Sequence, residues 1–249
     1  MINIPFRIDV AGGWMDQPMC SSIYPGSVIT LCIEPTINFN NRSGMATSTR
    51  AKAIDLFDGK MPTSNFEKWA KVLFCYDNLP GTKIISGAQD SIGITMPGLN
   101  KSNYVGNYWP QSIDQCHNDN VLDWLEKIVC LVPLDPREKG YDVLCNTDVV
   151  HDKVEKLSFA AKKCWSSILA MDIVEFGKNF TASMEAQVAM FPNMLNESMR
   201  EKIQQYENCS YGHKISGAGG GGYIILITDQ EIEGSIKIKV RRKEYYGGL

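Results

Sequence analysis

Five glycines fall within the six residues Gly217-Ala218-Gly219-Gly220-Gly221-Gly222, with Lys214-Ile215-Ser216 before them and Tyr223-Ile224-Ile225-Leu226-Ile227 directly after. Helices and strand interiors are weakened by glycine, so the chain must turn here, and the apolar run that follows reads as a buried strand. Either something approaches this backbone closely or the turn needs positive φ. Consecutive N–H groups free of side chains form a concavity that suits an anion, and a phosphate is the natural visitor. A flexible loop or a bulge entering a core strand accounts for the stretch equally well, so the decision rests on the remaining chain.

At 249 residues, 44% of them apolar, the chain can bury a full core as one large or two small domains. The net charge of −3, with no block of like charge before Lys237–Lys243, argues against a nucleic-acid partner, which would require a concentrated basic face. Lys237, Lys239, Arg241, Arg242 and Lys243 alternate with Ile238 and Val240, which predicts the solvated side of an edge strand. The start Met1–Arg7 lacks a signal peptide's apolar core, and no stretch of about 18 apolar residues is present to span a bilayer. A cytoplasmic protein with no membrane partner is expected. Eight cysteines without C-x-x-C spacing suit small buried hydrophobes in a reducing compartment better than disulfides or a zinc site.

Along the chain, Ile4–Val10 reads as a strand, Ala11-Gly12-Gly13-Trp14-Met15-Asp16-Gln17-Pro18 breaks it, and Ser27–Glu34 resumes an extended run. Arg7 and Asp16 would bring a fixed cation and an acceptor close together, although a surface salt bridge and a turn-forming aspartate explain them as well. Small and hydroxyl residues from Asn41 to Thr49 precede a helical segment ending near Phe57. Its N-terminus would offer free N–H groups, a favourable dipole and hydroxyls able to reach a metal, or would simply be capped by Thr47 or Ser48. A turn and a helix through Trp69, Val72 and Leu73 follow. Asp90 sits amid glycines and apolar residues, so its carboxyl group must pair with a distant cation such as Arg7, or cap a helix starting near Ser91.

Residues 100–120 read as a polar and aromatic loop, and His117, His151 and His213 lack the convergent partners of a catalyst. Lys127–Leu134 reads as a buried strand. Helical spacing then runs through Asp152–Ala170, from Asp172 to Phe191, and from an Asn196 cap to Tyr206, before strands at Tyr223–Thr228 and Ser235–Val240. This order predicts an α+β second domain with helices on one face of an antiparallel sheet.

Four separated segments, in this order, resemble the motifs of the GHMP small-molecule kinases, and above all their sugar-kinase branch of galactokinase, fucokinase-like and heptose-phosphate-kinase-like members. Arg7-Ile8-Asp9-Val10-Ala11-Gly12-Gly13-Trp14-Met15-Asp16 is similar to the branch's first motif, and Ser43-Gly44-Met45-Ala46-Thr47-Ser48-Thr49 to the phosphate-binding motif. Ser86-Gly87-Ala88-Gln89-Asp90 is similar to the segment with the catalytic aspartate, and Ser216–Gly222 to the third motif.

The resemblance implies an α+β, GHMP kinase-like two-domain fold. Residues 1–122 would form a truncated ribosomal-S5-like N-terminal domain and residues 123–249 a ferredoxin-like C-terminal domain, with ATP and acceptor in the cleft. It implies an ATP- and Mg²⁺-dependent phosphotransferase acting on a hydroxyl of a monosaccharide or sugar phosphate. Gly44, Ala46, Thr47 and Ser48 would cradle the triphosphate, Gly217, Ala218 and Gly219 would close over it, and the Ser48 hydroxyl would lie near Mg²⁺ with Asp77 as the candidate carboxylate. Asp90 would take the acceptor's proton, Arg7 would steady Asp90 as an anion, and Asp16, with Gly13 and Trp14, would hold the sugar. Such roles fit phosphoryl transfer, which needs positioning and charge neutralisation more than covalent chemistry. The stretch from Arg7 to Gly44 is shorter than the family usually shows. That departure leaves room for a non-catalytic relative that binds a sugar or nucleotide, and for a homodimer through an exposed sheet edge.

Overall fold

The computed structural model describes residues 3–243. Its first strand, β1 (Phe6–Ala11), is buried throughout. Phe6, Ile8 and Val10 alternate into the main apolar cluster, so Arg7 and Asp9 must emerge on the opposite face. A bulge between Asp9 and Ala11 shifts the pairing of β1 with β2 (Gly26–Ile33). A four-residue turn of helix, α1 (Pro18–Ser21), fills the connection between the two strands.

Helices α2 (Thr47–Leu56), α3 (Phe66–Asp77) and α4 (Gln89–Thr95) come next. Strands β3 (Leu99–Tyr104) and β4 (Ser112–Cys116) complete an antiparallel sheet of order β1-β2-β3-β4. The loop predicted for residues 100–120 is thus mostly a hairpin. Its strands are polar, with Asn100 and Ser102 buried in β3 and most of β4 exposed, and tertiary pairing with β2 outweighs their weak β-propensity.

Helix α5 (Asp119–Ile128), whose Asn118 side chain accepts from the Asn120 N–H at 2.9 Å, leads into β5 (Val129–Pro133). The buried strand therefore starts at Val129, two residues after the predicted Lys127. The predicted boundary at 122/123 falls inside α5. Long helices α6 (His151–Leu169) and α7 (Ile173–Met190) pack on each other, and α8 (Glu197–Gln204) is capped by Asn196 as its sequence suggests. Strands β6 (Gly212–Ile215), β7 (Tyr223–Ile227) and β8 (Ile236–Lys237) join β5 in a second antiparallel sheet of order β6-β7-β5-β8.

The strand predicted for Ser235–Val240 is reduced to β8 and a single bridge from Val240 to Ile33. Lys237, Lys239 and Lys243 are exposed while Ile238 and Val240 are buried, as the alternation predicts, but the two arginines do not lie on that solvated face. Arg241 is buried, with Nε donating to Glu34 Oε1 at 2.8 Å and Nη1 to the Asn3 carbonyl at 2.9 Å. Arg242 lies among Asp119, Asp123 and Glu126. Acids distant in sequence make these cations internal ties. One apolar cluster runs from Phe6, Ile8 and Ile29 through Leu131, Phe176 and Phe180 to Ile225 and Val240, so both sheets share a core. No disulfide forms among the described residues, and Cys20, Cys32, Cys116, Cys130 and Cys164 are buried, while Cys75 and Cys145 are exposed. No helix of the described residues is long and apolar enough to cross a membrane.

Candidate active site

Helix α4 crosses the face of β1 that carries Arg7, and Gly93 allows the approach: a Cβ there would fall 2.9 Å from the Arg7 Cβ. One turn earlier on the same helix, Asp90 meets the guanidinium. Arg7 Nε donates to Asp90 Oδ1 at 2.7 Å and Nη2 donates to the same oxygen, while Nη1 donates to the Gly44 carbonyl at 3.0 Å. The helix cap at this point is Ala88, with no side-chain bond, so Asp90 is a partner of Arg7 and not a cap. Burial works against the Arg7 cation, but Asp90, Asp9 and Asp16 outweigh it and hold its pKa above the ordinary arginine value.

The two glycine segments meet back to back. Gly44 has φ +77° and Gly217 φ +55°; a Cβ on Gly44 would lie 2.3 Å from the Ser216 carbonyl oxygen, and one on Gly217 would lie 2.6 Å from the Gly44 Cα. Only glycine meets both demands. Ser216 Oγ locks the pair, donating to the Ser43 carbonyl at 2.6 Å and accepting from the Tyr223 N–H at 3.1 Å. Just beyond, α2 starts from Ala46 in the left-handed region with no side-chain cap, so neither Thr47 nor Ser48 is the cap. Its first-turn N–H groups are left for another acceptor.

These parts surround a cavity of about 320 Å³. Arg7, Asp90, Gly13, Trp14, Asp16, Gly44, Ala46, Thr47, Ser48, Gly217 and Ala218 all line it. Gly219 and Asp77 do not. Gly219 turns toward the Met194 carbonyl, and its own carbonyl accepts from Arg137 Nε at 2.7 Å. Asp77 accepts from Thr49 Oγ1 at 2.7 Å, and burial followed by the nearby Asp90 charge raises its pKa. Trp14 has φ +80° and stacks on Phe191 with ring centroids 4.4 Å apart, a strained residue held by its neighbours.

Asp16 is 1% exposed. Its Oδ2 accepts from the Gln89 N–H at 3.3 Å, and burial, reinforced by the Asp90 charge, raises its pKa to about 7. Asp16 Oδ1 and Gln89 Oε1 are buried without a hydrogen-bond partner among the described residues.

Sequence reasoning missed Asp9, Arg42, Arg137 and Gln187, which also line the cavity. Arg137 follows β5 and Arg42 precedes α2, so two cations from opposite halves of the chain face the glycine walls. Burial first and Arg42 second lower the Arg137 pKa, as expected for cations sharing one space. No local signal marks the two arginines, because Arg137 sits in a loop without a motif and Arg42 just ahead of Ser43–Thr49. No group of three or more His, Cys, Asp or Glu that could hold a metal occurs among the described residues. Mg²⁺ requires few protein ligands when it arrives on phosphates, and the exposed Ser48 hydroxyl fits that modest role.

No protein-family model matches the chain, and no curated protein matches it. Solved structures do. A mevalonate kinase superposes with a TM-score of 0.66 at 12% identity, over 97% of this chain and 99% of that one. Lactococcus lactis galactokinase complexed with galactose gives 0.61 at 13% identity, over 91% and 84%. Streptococcus pneumoniae phosphomevalonate kinase in complex with phosphomevalonate and AMPPNP gives 0.52 at 11% identity, over 92% of each chain. The fold is that of the GHMP kinases. Within the GHMP-kinase fold the α+β prediction holds over nearly the whole chain, with two antiparallel sheets and helices packed on them.

Proposed function

We propose that this protein is an ATP- and Mg²⁺-dependent kinase that phosphorylates a hydroxyl of a monosaccharide. The observation that carries the reading is the Arg7–Asp90 pair, set in one cavity with the two interlocked glycine turns and the uncapped start of α2. Asp90 accepts the proton of the acceptor hydroxyl as that oxygen bonds to the γ-phosphorus, and the bond to the β-phosphate oxygen breaks, releasing ADP. Arg7 holds Asp90 in place and, through the Gly44 carbonyl, ties it to the wall that receives the phosphates. The α2 amides, Arg42 and Arg137 offset phosphate charge. Mg²⁺ bound to the nucleotide would add charge neutralisation beside Ser48.

Asp16 Oδ1 and Gln89 Oε1 are acceptors in need of donors, which a polyhydroxyl compound supplies. Arg7 is committed to Asp90 and Gly44, and Arg42 and Arg137 are taken up by the nucleotide phosphates, which favours a free sugar over a phosphorylated one. The resolved AMPPNP complex of a protein of this fold is in keeping with ATP as donor. The test is ADP release from ATP and Mg²⁺ across a panel of monosaccharides and sugar phosphates. Turnover on at least one is expected, with Asp90→Asn slower by roughly 100-fold or more, the usual worth of a positioned base. No turnover on any acceptor, or a variant as fast as wild type, would remove the assignment.

A further inference from the structure

Lys214 is fully buried at the end of β6 and donates to Asp9 Oδ2 at 2.7 Å. That contact leaves Asp9 Oδ1 buried and without a partner among the described residues, on a side chain 2% exposed that lines the cavity. From α7, Gln187 reaches the same place. Its Nε2 donates to the Gly13 carbonyl at 3.1 Å, its Oε1 has no partner among the described residues, and the residue is 1% exposed.

Gly13 separates the two. A Cβ at Gly13 would fall 2.3 Å from Asp9 Oδ2 and 2.7 Å from Gln187 Nε2, so the absence of a side chain is what lets them converge. In both residues one polar atom makes the contact inside the protein, and the other is a buried acceptor without a partner among the described residues, on a side chain that lines the cavity. A buried acceptor left unpaired costs about 1–3 kcal/mol, and two on side chains that converge at Gly13 are hard to account for by packing alone.

Resting on the kinase reading above, we infer that Asp9 and Gln187 form a subsite that reads hydroxyls of the acceptor sugar other than the one phosphorylated, separately from Asp16. The chemistry is one-sided. Both free atoms accept, so the matching ligand face carries O–H donors, as neighbouring hydroxyls of a neutral sugar do, and a phosphate or carboxylate there would be repelled. Asp9 belongs to the first half of the chain and Gln187 to the second, so the subsite exists only when the two sheets are docked.

The test is calorimetric binding of neutral hexoses and 6-deoxyhexoses to the full chain, followed by the monodeoxy series of the tightest binder. Asp9→Asn replaces one carboxyl oxygen by a donor, and Gln187→Met removes the free acceptor. Each should weaken sugar binding about tenfold or more while AMPPNP binding, measured in parallel, changes less than twofold. On one deoxy derivative wild type and variant should bind alike, because the hydroxyl that distinguishes them is gone. If Asp9→Asn does not fold, Gln187→Met supplies the same comparison, and a wild type that loses no affinity at any deoxy position overturns the inference without either variant. It also falls if no neutral sugar binds, or if variant and deoxy losses add independently at every position. Sugar binding of the expected pattern without turnover would instead remove the kinase reading and leave this subsite standing.

Discussion

Asp16 shows how a single buried carboxyl group links the site to stability. Its pKa of about 7 in the folded chain lies above the ordinary aspartate value of 3.8, so the folded state holds that proton more tightly than the unfolded one. The stabilisation is complete below about pH 4 and is lost as pH rises through 7. Asp16→Asn stays neutral throughout, and its stability relative to wild type should therefore rise by about 4 kcal/mol between pH 4 and pH 8. Denaturant titrations of both proteins across that range measure it, and a pH-independent difference would contradict the assignment of the shift to burial of this group. Arg7 is the contrasting case: also buried, it is surrounded by acids that favour its charge and is used as a fixed cation. Sequence inspection singled out Arg7, Asp16 and Asp90 because each breaks an apolar or glycine-rich stretch. It passed over Asp9, whose pairing with Lys214 spans most of the chain.

At the scale of elements, the interlocked turns at Gly44 and Gly217 carry the most weight. They join the loop before α2 to the loop between β6 and β7, and Ser216 fastens them. Gly44→Ala must place a Cβ against the Ser216 carbonyl while holding positive φ. Left-handed backbone alone costs about 1–2 kcal/mol for a non-glycine residue, and the clash adds to it, so a loss of at least 2 kcal/mol is expected. On the kinase reading proposed above, the same substitution should also weaken AMPPNP binding, since the turn lines the cavity. Thermal unfolding and calorimetry check both effects; a variant with unchanged melting temperature would mean that the loops are not in the contact described. The glycine run was legible as a turn because of its density, but its partner was not, because a lone Gly44 carries no signal of what lies against it.

For the whole molecule, the shared apolar cluster predicts cooperative behaviour. Ile225 on β7 is 1% exposed within that cluster, and Ile225→Ala should cost about 2–5 kcal/mol, lowering the stability of both sheets together. Tryptophan fluorescence and far-UV circular dichroism should then give coincident transitions, whereas two separated transitions would show that the halves fold independently. By itself the sequence determined the turns, the long helices α6 and α7 with the Asn196-capped α8, the apolar strands and the motif order, because glycine density, helical period and local capping are written within a few residues. It did not determine the polar hairpin β3–β4, the burial of Arg241, or the meeting of Asp9, Gln187, Arg42 and Arg137 around one cavity. Those depend on which distant groups become neighbours. A buried charge or amide is tolerable only once its partner, hundreds of residues away in some cases, has been brought within hydrogen-bond reach, and that is settled by the docking of two sheets on a common core.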